Sequence, residues 1–158
     1  MSTRPEIKTI ANLEAAFAGE SMAHIKYMYF AKLCRAAGDE ATAKVFEETA
    51  AQEVQHAFGH LDLLYPAVEM SPAKALDMAI AGETYEYTEM YPQFRHLAEQ
   101  EGNTAAVKEM DEQIVESKEH AQRFRDTLTK AAKRFAALAK VEERHANQYR
   151  ATRAKVAA

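Results

Sequence analysis

Tryptophan is absent from this 158-residue chain, and Gly numbers only 5, Pro 4 and Cys 1. So few turn formers leave little to punctuate a series of short strands, whereas plentiful alanine and methionine favour helix, so an all-α protein is expected. The single cysteine, Cys34, can make neither an internal disulfide nor a four-thiolate iron site, and any electron-transfer partner is expected to be a separate molecule. No apolar run approaches the roughly 20 residues that span a bilayer. The opening MSTRPEIKT lacks the apolar region of a signal peptide. No membrane association and a cytoplasmic location are the corresponding expectations. Basic residues do not predominate either: the net charge is -4 and the two signs are mixed along the chain, which removes the electrostatic footprint of a nucleic-acid partner. What remains is 47% apolar and 28% charged residues, the balance of one ordinary domain with a real core.

Apolar residues recur with a period near 3.6, and the stripe predicts helices over about 6–37, 40–65, 72–101 and 103–156. Gly38 with Asp39 ends the first. Pro66 ends the second. Ser71 with Pro72 supplies a cap and a first-turn proline for the third, and Pro92 predicts a local kink within it. From Asn103 onward there is neither Gly nor Pro, so the last segment reads as one very long helix or as two with a break near Thr127 to Thr129.

That last segment repeats itself. A shift of 25 residues places Thr104 on Thr129, His120 on His145, Ala121 on Ala146, Phe124 on Tyr149 and Arg125 on Arg150, while Ser117 falls on Glu142. A second echo pairs AFAGES at 16–21 with AIAGET at 79–84. Two related helical hairpins in a pseudo-symmetric four-helix bundle would produce both echoes.

The ionisable residues on these stripes carry the chemistry. Glu20, Glu53, His56, Glu83, Glu86, Glu142 and His145 lie on or beside the faces that bundle helices turn inward. Removing one carboxylate from water costs several kcal/mol, and a group of them also repel one another. Lysine and arginine are nearly missing from the stripes, so bound cations are the economical compensation. Glu53-x-x-His56 and Glu142-x-x-His145 place a carboxylate and an imidazole on one helical face. Together with a lone Glu20 and with Glu83, they reproduce the ligand pattern of di-iron carboxylate bundles. Oxygen and nitrogen donors without thiolate suit iron or manganese, and zinc could occupy the same cage. His24 and His60 also lie on the stripes and are expected to be hydrogen-bonded core histidines. Tyr27 and Tyr91 are read as either core tyrosines or phenols beside the metals.

The segments FAGESMA, ETAAQEVQHA, AGETYEYTEMYP and VEERHANQY resemble the four ligand segments of rubrerythrins, over most of residues 7–101 and again about 131–150. AGETYEYTEMYP is the most specific, because Glu86 matches the additional carboxylate that separates rubrerythrins from simple ferritins. The resemblance implies a ferritin-like bundle with two iron ions that reduces hydrogen peroxide to water, drawing electrons from a donor such as a rubredoxin. It also implies that Glu53 and Glu142 bridge the irons, that Glu20 and Glu86 serve one and Glu83 and His145 the other. His56 and Glu86 would trade places with oxidation state, and Tyr27 and Tyr91 match tyrosines near the site.

The chain departs from that pattern in two ways. It contains no rubredoxin-type cysteine set, and Glu142 lies about one repeat later than the family spacing. At the usual spacing stands Glu116-Ser117-Lys118-Glu119-His120, with a serine where the bridging carboxylate belongs. Glu142 and His145 are therefore the expected ligands, with Glu116 or Glu119 and His120 as the alternative. In one continuous helix, 25 residues make nearly seven turns, so both copies share a face roughly 37 Å apart. Glu142 could not then reach its own chain's Glu86, and a homodimer with exchanged helices is expected, each site drawing on both chains. Two other functions compete with the peroxidase: ferritin-like iron oxidation and storage, and a metal protein without turnover, with zinc as structural glue.

Overall fold

The computed structural model describes residues 8–156; the expected helix start at Glu6 and Ile7 lies outside them. Among the described residues the secondary structure is helical and no strand occurs. The chain parts into two compact units between Met70 and Ser71.

The first unit is a hairpin of α1 (Thr9–Ala36) and α2 (Glu40–Leu64). Gly38 turns the corner at φ +84°, a left-handed conformation that glycine adopts without steric cost. The Gly38 and Asp39 N–H groups donate back to the Arg35 and Cys34 carbonyls at 3.0 and 2.9 Å, closing the end of α1. Asp39 then caps α2 by accepting from the Thr42 N–H at 3.0 Å. The Thr42 hydrogen bonds hold its carboxyl below the usual carboxylate range. Arg35 clamps the corner, reaching both Glu40 and Glu47 at 2.8 Å. All three are solvent-exposed, so the pairs orient the corner more than they stabilise it. The fully packed positions of the hairpin are alanines, Ala31, Ala43, Ala50 and Ala57, whose small side chains let the two helices approach closely. A 3₁₀ turn, Ala67–Glu69, follows.

The second unit begins with α3 (Pro72–Tyr85). Ser71 Oγ accepts from the Lys74 N–H at 3.1 Å, and Pro72 occupies the first turn. Ser71→Ala is expected to cost about 1 kcal/mol, read as a lower urea midpoint with unchanged slope; an unmoved midpoint would show the cap to be idle.

Glu86–Met90 is a π turn, after which α4 (Tyr91–Gln100) resumes. The Tyr91 N–H donates to the Glu86 carbonyl, five residues back. The disturbance expected at Pro92 takes this form. Proline has no N–H to offer the Thr88 carbonyl, and the ladder widens just ahead of it instead of bending sharply. Thr84 and Thr88 hydroxyls donate to the carbonyls four residues back, at 2.6 and 2.7 Å.

Gly102, at φ +72°, ends this arm, and Asn103 Oδ1 caps the next helix by accepting from the Ala106 N–H at 3.1 Å. α5 (Thr104–Val156) then runs for 53 residues, roughly 80 Å. No break interrupts it at Thr127 to Thr129. Its first half packs against α3, the π turn and α4, with Ala98, Ser117 and Ala121 buried. Arg95 of α4 holds Asp111 of α5 at 2.6 Å. No helix among the described residues is long and apolar enough to cross a membrane.

Candidate metal centre

In the first unit, successive turns of α1 and α2 bring Glu20, Glu53 and His56 together. One donor atom from each lies within 4.8 Å of the others. Glu53 accepts from His56 Nδ1 at 2.9 Å, with the carboxylate largely covered and the imidazole mostly exposed. Two half-buried carboxylates and an imidazole at this separation are a cation-binding donor set of oxygen and nitrogen character. Beside them, Phe17, Ile25, Val54, Phe58 and Leu61 line an apolar groove. His24, one turn along from Glu20, faces the Ala50 carbonyl through Nδ1 at 2.8 Å. A carbonyl only accepts, so Nδ1 carries the proton. This is the hydrogen-bonded core role expected of His24. His60 is half-buried. Tyr27 is half-buried and lies against Phe46, ring centroids 5.9 Å apart.

The second unit holds the other carboxylates. Glu83 closes α3 and Glu86 opens the π turn, so both face α5. Ser117 Oγ donates to Glu86 Oε2 at 2.9 Å, and His120 Nδ1 lies 3.5 Å from Glu83 Oε1. Glu83 Oε2 is buried without a hydrogen-bond partner. An orphaned buried carboxylate oxygen carries its full desolvation penalty, and a cation is the partner that would relieve it. Tyr91, on the next turn, has its phenol pushed up by burial first and by the Glu86, Glu83 and Glu109 charges after it. It therefore stays protonated and able to donate.

Within this unit the residues opposite Glu83 and Glu86 are Ser117 and His120. Glu142 and His145 stand 25 residues further along the same unbroken helix, both exposed and without an ion pair or side-chain hydrogen bond among the described residues. Glu116 and Glu119 are exposed as well. One contact had no sequence signal: Arg125 Nη2 donates to Thr84 Oγ1 at 2.8 Å, anchoring α5 beside Glu83. Nothing in spacing alone distinguishes that arginine from the solvent-facing ones.

Residues 11–128 match the family model described as rubrerythrin. The matched stretch includes Ser117 and His120 and stops short of Glu142. Nigerythrin of Nitratidesulfovibrio vulgaris is 39% identical over 132 residues, which is 73% of this chain and 63% of that protein. The rubrerythrin of Porphyromonas gingivalis is 42% identical over 106 residues, 60% of this chain and 53% of that protein. The rubrerythrin of N. vulgaris is 35% identical over 130 residues, 75% and 68% of the two chains. The aligned part thus spans between about half and two thirds of these relatives. The breadth of the family match, together with the Glu and His donors gathered on α1, α2 and α3, shows that this chain belongs to the rubrerythrin family of ferritin-like di-iron proteins.

Proposed function

We propose that the chain is a di-iron peroxidase that reduces hydrogen peroxide to water and protects against oxidative stress. The observation that carries this reading is the convergence of Glu20, Glu53 and His56 within 4.8 Å, the donor chemistry that a redox-active iron pair requires. Glu83, Glu86, Glu142 and His145 complete the ligand set, manganese or zinc being able to substitute. The irons would supply Lewis acidity and two electrons. The protein's own contribution is positional. Glu53 and Glu20 offer negative charge from adjacent helices, and His56 sits on the exposed side of Glu53, where it can turn toward or away from the pair. Protonated Tyr91 is placed to donate a hydrogen bond, and Tyr27 fills the corresponding place on α1. The two hairpins together form a single ferritin-like domain, in the cytoplasm, and electrons arrive from a separate carrier such as a rubredoxin.

The test is anaerobic reduction of the iron-loaded chain followed by mixing with hydrogen peroxide in a stopped-flow instrument. Reoxidation of two irons per chain is expected, at least about tenfold faster than with dioxygen. Equal rates with the two oxidants would remove the peroxidase reading. A large hollow assembly that accumulates iron would point to storage, and a redox-silent zinc content to a structural role.

A further inference from the structure

The stripe of α5 that meets α3, the π turn and α4 does not end where they end. Over its first half it is covered: Ser117 is 3% and Ala121 0% exposed. There the face is read by three contacts, Ser117 to Glu86, His120 to Glu83 and Arg125 to Thr84. A further 25 residues turn an α-helix to within about 20° of the same direction, and the same residue types return as Glu142, His145, Ala146, Tyr149 and Arg150. This second face is bare. Tyr149 is 76% exposed, and Phe135, the counterpart of half-buried Met110, is 70% exposed.

One position differs in kind between the copies. The Ser117 hydroxyl satisfies Glu86 by donating a proton to it, and needs no cation. A carboxylate in that place has no proton to give, so Glu142 could face Glu86 only with positive charge between them. The first copy thus suits a receptor without metal, and the second suits a receptor that holds one.

We propose that α5 carries two alternative docking registers for one receptor, the Glu83–Glu86 face of α3 and the π turn. Ser117 and His120 occupy it within the chain when no cation is bound. Glu142 and His145 from a second copy of the chain occupy it once a divalent cation is present, with Arg150 taking the place of Arg125 at Thr84. The occupant is a second copy because the bare stripe is continuous with the packed one and repeats its residues, while Glu142 lies roughly 37 Å from its own chain's receptor. The proposal rests on the di-metal reading above.

Binding of Mn²⁺ and mass by light scattering test it without recourse to activity. For the unaltered chain, Mn²⁺ is expected to shift the population toward dimers. Glu142→Gln/His145→Gln should lose at least half of the bound Mn²⁺ and the metal-dependent dimer. Mixing that variant with Glu83→Gln/Glu86→Gln, itself defective, should restore binding, because one chain then lends α5 and the other the receptor. Adding Ser117→Glu to the Glu142→Gln/His145→Gln chain should restore Mn²⁺ uptake in monomers, and circular dichroism confirms that each variant is folded. Full Mn²⁺ binding by Glu142→Gln/His145→Gln, or no recovery in the mixture, overturns the two-register proposal and leaves the di-metal reading standing. An unaltered chain that takes up no Mn²⁺ at all overturns both.

Discussion

Glu53→Ala is expected to abolish stoichiometric iron binding and to slow peroxide-driven reoxidation by at least about 100-fold. Groups that merely support metal ligands are worth 10- to 100-fold, so a ligand that touches two others should exceed that range. Glu53 is such a group: it lies within reach of Glu20 and receives the His56 N–H at 2.9 Å. Its removal leaves one carboxylate and an imidazole on a half-open hairpin, too little charge to hold two cations. The fold should survive, since alanine is the best helix former and Glu53 sits in mid-helix with no cap or corner to maintain. Elemental analysis and stopped-flow absorbance provide the readout, with unchanged helicity as the control. A variant that keeps two irons and the parent rate would show that the α1–α2 cluster is not the metal centre.

Metal removal should destabilise the chain by an amount visible in calorimetry. A ligand present at about 100 times its dissociation constant adds about 2.7 kcal/mol to a native state that alone binds it. At 2–4 °C per kcal/mol for a chain of this size, the midpoint should rise by roughly 5–10 °C on saturation with Mn²⁺ and fall again with chelator. The physical source is the uncompensated carboxylates, above all Glu83, whose Oε2 is buried and unpartnered. An unchanged midpoint would mean that these acids are neutralised in some other way, and the argument from buried charge would fail with it.

Much of the architecture was legible because the residues concerned act locally. Gly38 and Gly102 end helices in the left-handed conformation that their positions require, and Ser71 with Pro72 caps α3 as the dipeptide suggests. Proline at 92 announced a disturbance but could not place it, since the loss of one N–H can be relieved by a bend or by an added residue upstream. The gathering of Glu20, Glu53 and His56 was readable from helical period, which puts each on an inward stripe. Which copy of the repeat meets Glu83 and Glu86 was not readable. Both copies lie on one face, and only the length of the loop at Gly102 and Asn103 sets which of them falls opposite α3. Ser117 stands there, joined to Glu86 at 2.9 Å. The Arg35 clamp on Glu40 and Glu47 was equally hidden, because long flexible side chains leave no periodic trace.

The π turn gives the stretch between Tyr85 and Tyr91 a property that neighbouring segments lack: its length is counted in single residues. Excision of one residue there would let the ladder close to ordinary α geometry and rotate everything downstream by about 100°. Ala98 would swing out of its buried place and Arg95 away from Asp111, while Glu83 upstream kept its direction. Evolution or engineering can therefore vary side chains across Glu86–Met90 more freely than it can insert or delete there, even though no glycine or cysteine marks the segment as constrained.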